Sequence, residues 1–144
     1  MIVSKRDEFA DAQAITDTAL STAYIDLGAS PTLQDIANGK PLFLVIQVDT
    51  AFTRAAGALT VTWTLETDSA AAMNVSATVH NTTPAIAKAS LVAGYKTILA
   101  LPPGRNYERY LRVRATASAA FDAGAYSAFL TSEPQNWVAY PAGA

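Results

Sequence analysis

The stretch Leu59-Thr60-Val61-Thr62-Trp63-Thr64-Leu65-Glu66 alternates apolar and polar residues without interruption. Successive side chains of a strand point to opposite faces, so Leu59, Val61, Trp63 and Leu65 share one side and Thr60, Thr62, Thr64 and Glu66 the other. One side is expected on a core and the other in water, the arrangement antiparallel sheets tolerate and parallel ones rarely do.

Working outward, Leu42 to Asp49 is the most apolar strand candidate. Leu42, Leu44, Ile46 and Val48 occupy one face; Phe43, Val45, Gln47 and Asp49 occupy the other. The second face is apolar only at its start, which therefore needs a cover: a terminal arm, a loop or a neighbouring subunit. Further strand candidates are Leu20 to Leu27, Val75 to His80, Tyr95 to Leu101, Tyr110 to Ser118 and Tyr126 to Thr131. Turn-forming residues separate them at Gly28 to Pro31, Asn38-Gly39-Lys40-Pro41, Asn81 to Pro84, Pro102 to Asn106 and Asp122-Ala123-Gly124. Short strands divided by turns at close intervals predict an all-β chain, an antiparallel jelly-roll-like β-sandwich.

Helical signals are brief. Thr32-Leu33-Gln34-Asp35 fits a capping box with Gly39 as a stop, enough for one or two turns. Ser4 to Ala14 suits a short helix or an extended arm. No internal repeat or linker divides the 144 residues, so the expected organisation is one domain over 1–144, with an N-terminal arm over about 1–14 and a C-terminal tail over about 133–144. The tail carries Trp137 and Tyr140, large aromatics that need a surface to pack on.

Composition narrows the function. The chain is 51% hydrophobic and 15% charged, a balance that folds rather than stays disordered. Ten basic and twelve acidic residues give a net charge of −2, so there is no basic field to hold nucleic acid or an anionic membrane. Without cysteine there is no disulfide, thiolate metal site or thiol nucleophile. Charges at Lys5, Arg6, Asp7 and Glu8 stand where a signal peptide would be apolar, and no later run is long enough to span a bilayer; a soluble product of the cell that makes it is expected.

Motifs for chemistry are sparse. His80 is the only histidine and lacks a Gly-x-Ser-x-Gly elbow nearby, so a strand-end role is preferred over a catalytic one. One imidazole has no second to share a metal with. Glu66, Asp68 and Glu108 could form a glycosidase pair, but they lie at turns or on an outward face where charge is expected anyway. Neither Asp7 with Asp11 nor Glu66 with Asp68 has the spacing of a calcium loop. No enzyme activity, cofactor or metal is expected. The Asn74-Val75-Ser76 and Asn81-Thr82-Thr83 sequons are read as accidental.

The one local basic cluster is Arg105, Arg109, Arg112 and Arg114, interleaved with Tyr107 and Tyr110. Tyr110, Arg112 and Arg114 fall on the strand face opposite Leu111, Val113 and Ala115. A solvated sheet face would look like this, and so would a protein contact, because Arg and Tyr are enriched among interface hot spots.

The order of several segments resembles that of the capsid cement, or decoration, proteins of tailed bacteriophages. They are Phe9 to Thr16, Ser21-Thr22, Ile25 to Gly28, Asp35-Ile36 before Gly39, Leu44 to Val48, Gly57 to Val61, Leu91 to Tyr95, and Leu101 to Gly104 leading to Arg109-Tyr110-Leu111-Arg112. The resemblance implies a jelly-roll-like sandwich, usually a homodimer, seated on the outer surface of the virion shell after synthesis in the host cytoplasm. There it would bridge subunits of the major capsid protein against the pressure of packaged DNA, without catalysis and with no direct nucleic-acid or membrane contact. Candidate partner contacts are Phe9, Phe43, Arg105, Tyr107, Tyr110, Arg112, Arg114, Trp137 and Tyr140. The rival reading is a carbohydrate-binding module using exposed aromatics such as Tyr95, Tyr107 and Trp137.

Overall fold

The computed structural model describes residues 4–29 and 36–134. Its strands are β1 (Glu8–Ala14), β2 (Ala19–Leu20), β3 (Ile25–Asp26), β4 (Phe43–Thr53), β5 (Thr60–Asp68), β6 (Thr78–Thr82), β7 (Ile86–Ala87), β8 (Lys96–Ala100), β9 (Tyr110–Ala117) and β10 (Ala123–Thr131). A 3-10 turn at Lys88–Ser90 is the only helical element among the described residues. The capping box at Thr32 to Asp35 lies outside them.

Every pairing is antiparallel, and the pairs are nested. β1 pairs with β10, β2 and β3 with β9, β4 with β8, and β5 with β6. The first sheet has the order β1-β10-β4-β8 and the second β2-β9-β5-β6, with β3 added on β9 and β7 on β5. A chain folded first-to-last and then wrapped into two layers, here of four and six strands, is a jelly roll, so the sequence expectation of a β-sandwich holds.

The alternation in β4 and β5 has the consequence anticipated for it. Leu44, Ile46 and Val48 from the first sheet meet Val61, Trp63 and Leu65 from the second, each no more than 1% exposed. At the centre, Trp63 lies edge-on to Phe52, with ring centroids 6.0 Å apart. It pairs in register with Ala115 of β9, so the largest side chain stands beside one of the smallest. Each such large apolar side chain contributes about 1.5–3 kcal/mol on burial, and the two sheets are held together chiefly by this layer.

Three local readings are corrected. Glu8–Ala14, expected as an arm or short helix, is an edge strand of the first sheet. Its alternation is broken because Ala12 takes a positive φ of 46° where β1 bulges against β10, and its N–H turns to Ser127 Oγ at 2.8 Å. Leu20 to Leu27 is not one strand: β2 and β3 are separate two-residue pairings on β9. Glu66 does not face water; it is 5% exposed, and Thr67 and Asp68 after it are fully buried. The end of β5 is enclosed because the following loop folds back onto Asp68, which accepts the N–H groups of Ala70, Val75 and Ser76. Hydrogen-bonded closure of this kind fixes the path of a loop.

On the outer face of the first sheet, Val45 is fully buried and Phe129 only 4% exposed, although neither belongs to the core between the sheets. Phe43 beside them is half-buried. The cover that the apolar start of this face requires is therefore present.

Candidate interaction surface

Strand β9 places Leu111, Val113 and Ala115 in the core, all at 0% exposure, and so sends Tyr110, Arg112 and Arg114 to the outer face of the second sheet. The three do different things there. Arg114 turns along the sheet to Glu66 of β5, its Nε 3.0 and 3.1 Å from the two carboxylate oxygens, while Thr64 donates its hydroxyl to the same carboxylate at 2.7 Å. Arg112 is committed to the backbone: it donates from Nε and NH2 to the Ser21 carbonyl at 2.9 and 2.5 Å and from NH1 to the Ala71 carbonyl at 2.6 Å. Burial draws its pKa below the ordinary arginine value, against the opposing pull of Tyr126 and Tyr24; a guanidinium remains charged all the same.

Tyr110 is the surface member. Its ring meets Tyr24 edge-on, with centroids 5.3 Å apart and planes at 87°. Arg109 lies 4.9 Å over the Tyr110 ring and Arg112 lies 5.9 Å from the Tyr24 ring, both within cation–π range. Arg109 is fixed by a two-point contact with Asp26 of β3, Nε to Oδ1 and NH2 to Oδ2, each 2.9 Å. The Gly28 N–H adds a third bond to Asp26 at 2.9 Å. The Arg109 hydrogen bonds, followed by that of Gly28, hold the Asp26 carboxyl below its usual range, and the same contact raises Arg109.

This fork matters for position more than for stability, since both side chains are about 40% exposed. It holds the Arg109 guanidinium over the Tyr110 ring. Tyr24 is 47% exposed and edges a groove of about 430 Å³ lined by Lys5, Arg6, Asp7, Ile25 and Asp26. The result is an amphipathic, cation-bordered surface in which Arg109 is braced by Asp26 over the Tyr110 ring.

Of the contacts expected from sequence, the structure brings Tyr110 and Arg112 into this cluster, with Arg114 behind it as an internal brace. Phe9 is wholly enclosed in the core, so its ring supports the fold and is not a contact. Tyr107 is 5% exposed; it stacks on His80 at 4.4 Å and 31° and donates its hydroxyl to the Pro102 carbonyl at 2.6 Å. Arg105 is exposed on the same loop. Phe43 sits apart, on the first sheet, and Trp137 and Tyr140 lie outside the described residues. The row of exposed aromatics required by a carbohydrate module is not made by Tyr95 and Tyr107, because Tyr107 is buried and Tyr95 packs against the core.

The sequence reading missed Tyr24. The signal was present in alternation: Ile25 and Leu27 are inward, 2% exposed in the case of Leu27, which leaves Tyr24 and Asp26 together on the outward side. His80 hydrogen-bonds Thr67 through Nε2 at 2.6 Å, and burial, then Arg105, lower its pKa against Glu108. Among the described residues, no three His, Asp or Glu side chains converge as metal ligands would.

A nested jelly roll with a braced tyrosine–arginine surface is the class of protein that these features define. The chain matches the Bbp16 family over residues 9–130, from the second residue of β1 to the penultimate residue of β10, and belongs to that family. No curated protein matches it.

Proposed function

We propose that the chain is a capsid cement protein, which binds the outer surface of a tailed-phage shell and bridges subunits of the major capsid protein against internal DNA pressure. The observation that carries the reading is the pre-ordered Tyr24–Tyr110–Arg109 cluster. Exposed Tyr and Arg held rigidly by their own neighbours are what a protein-binding hot spot requires. The partner's identity is supported by the ordered resemblance from Phe9 to Arg112.

The protein acts as a homodimer and performs no catalysis. Dimerisation is supported by the edges of a two-sheet sandwich, which symmetric pairing covers economically. Against catalysis stand the commitments of the candidate groups: His80 to Thr67, Glu66 to Arg114, Asp68 to its loop. Modest contacts suffice, because many copies act together on one shell.

Purified full-length protein mixed with shells that lack it is expected to cosediment to a fixed stoichiometry and to raise the rupture temperature. Tyr24→Ser should weaken this binding by about 30-fold, the scale of a hot-spot truncation, with an unchanged thermal midpoint for the free protein. Failure of the wild type to decorate shells, or displacement of the bound protein by competing sugar, overturns the reading.

A further inference from the structure

Strand β6 has β5 as its one strand neighbour and ends the second sheet. Edge strands are ordinarily protected by charge or proline, yet Thr78-Val79-His80-Asn81-Thr82 contains neither. Val79 is 52% exposed and Val75, just before the strand, 68%.

The segment 101–108 runs alongside without pairing as a strand. It is tied to β6 at three points: Asn81 Nδ2 donates to the neighbouring Ala100 carbonyl at 2.7 Å, Thr78 donates its hydroxyl to Glu108 at 3.2 Å, and Tyr107 stacks on His80. Between the two lies a groove of about 320 Å³ lined by Thr78, Val79, His80, Arg105 and Asn106.

We infer that this groove is a second docking site, which takes an extended segment of the shell protein bearing a carboxylate. The inference rests on the cement reading and supplies what bridging requires, a contact distinct from the Tyr24 surface at the opposite edge of the second sheet. Three features select the occupant. Among the described residues, no strand pairs with β6 on its groove side, the side on which an extended chain can lie along the sheet. Arg105 is exposed and, among the described residues, takes part in none of the ion pairs, so its planar fork is available to a carboxylate. Val79 provides apolar contact beside it.

A second copy of this chain is the poorer occupant. Symmetric pairing of β6 with itself would bring two Arg105 side chains toward one groove, and Glu108, the acid held against β6, is already engaged by Thr78. The groove is also pre-shaped: His80 is held at Nε2 by Thr67 and on its ring face by Tyr107, and Asn106 adds a polar side chain to the lining.

The test uses the full-length chain and shells that lack it. Arg105→Gln should lower shell affinity at least tenfold while the thermal midpoint stays with that of the wild type, and Arg105→Lys should recover part of the loss. A photo-reactive phenylalanine in place of Val79 should cross-link to a shell peptide containing Asp or Glu. Wild-type affinity in Arg105→Gln, a cross-link to a second copy of this chain, or a cross-linked shell peptide without a carboxylate overturns the proposal. If wild-type protein does not bind shells at all, the cement reading falls and takes this site with it; if wild type binds and Arg105→Gln binds equally, only the site falls.

Discussion

Trp63 and Tyr126 face each other from opposite sheets, with ring centroids 5.8 Å apart at 62°, and each is fully buried. Both carry a polar atom, Trp63 Nε1 and the Tyr126 hydroxyl, that has no hydrogen-bond partner among the described residues. Burial pushes the Tyr126 phenol well above its ordinary pKa, a shift that Arg112 only partly offsets. The rings are thus retained for shape while their polar ends add cost. Tyr126→Phe keeps the ring and removes the unpaired hydroxyl. It is expected to raise unfolding stability by about 1 kcal/mol, read from urea denaturation at constant m-value. A loss of that size would show that the hydroxyl is satisfied in solution.

Glu66 and Arg114 make a contrasting pair, because here the polar groups are matched. The carboxylate side chain is 6% exposed and the guanidinium side chain 30%. Removing the cation alone strands a buried charge. Arg114→Leu should therefore destabilise by about 2 kcal/mol, less than a fully buried pair would lose because Arg114 is partly solvated. The double variant Glu66→Leu with Arg114→Leu should recover most of this loss. If the two single changes simply add, the pair is not coupled and the reading fails.

These two pairs also show where sequence reasoning reached and where it stopped. Trp63 was legible as core because the period of two around it is unbroken and nothing but side-chain direction was needed. Glu66 continues the same alternation, yet it is buried, since enclosure of that end depends on a loop tied to Asp68 and on an arginine 48 residues away. The first strand was obscured differently: alanines fall on both of its faces and the bulge at Ala12 resets the phase. In the candidate surface, Tyr110 and Arg112 followed from strand alternation. Tyr107 looked like an exposed aromatic among polar neighbours, and only its contact with His80, on a distant strand, turns it inward. The outward position of Tyr24 was legible in its alternation with Ile25 and Leu27; its contact with Tyr110 depends on β3 joining β9, a pairing that local pattern does not encode.

Gly124 opens β10 where the chain passes the aromatic layer. A Cβ there would lie 2.8 Å from Cδ1 and Cγ of Phe52, closer than carbon atoms approach without displacement. Phe52 cannot retreat easily, since it is 2% exposed and packed against Phe121 at 5.2 Å as well as Trp63. Gly124→Ala is expected to destabilise by about 1–3 kcal/mol through overpacking. The added variant Phe52→Leu should be better tolerated on the Gly124→Ala background than alone. Equal midpoints for wild type and Gly124→Ala would mean that the ring moves aside freely.

Asp68 gives the fold a pH dependence of definite sign. Burial alone would raise its carboxyl pKa. The N–H groups of Val75, Ala70 and Ser76 and the Ser69 hydroxyl outweigh that effect and hold it below its ordinary 3.8. Those donors favour the ionised form in the folded chain, so folding binds fewer protons at this group than unfolding does. Its contribution is fully present above the unfolded value and is lost as pH falls through 3.8 to the lower folded value. Asp26, lowered chiefly by Arg109, acts in the same direction. Denaturant midpoints measured from pH 6 down to pH 2.5 should therefore fall more steeply for the wild type than for Asp68→Asn, which keeps the shape but not the titration. At pH 6 the variant should be the less stable protein, and the two curves should converge in acid. Parallel curves would mean that the carboxylate titrates alike in the folded and unfolded chain, and the loop 69–76 would then owe its position to something other than this charge.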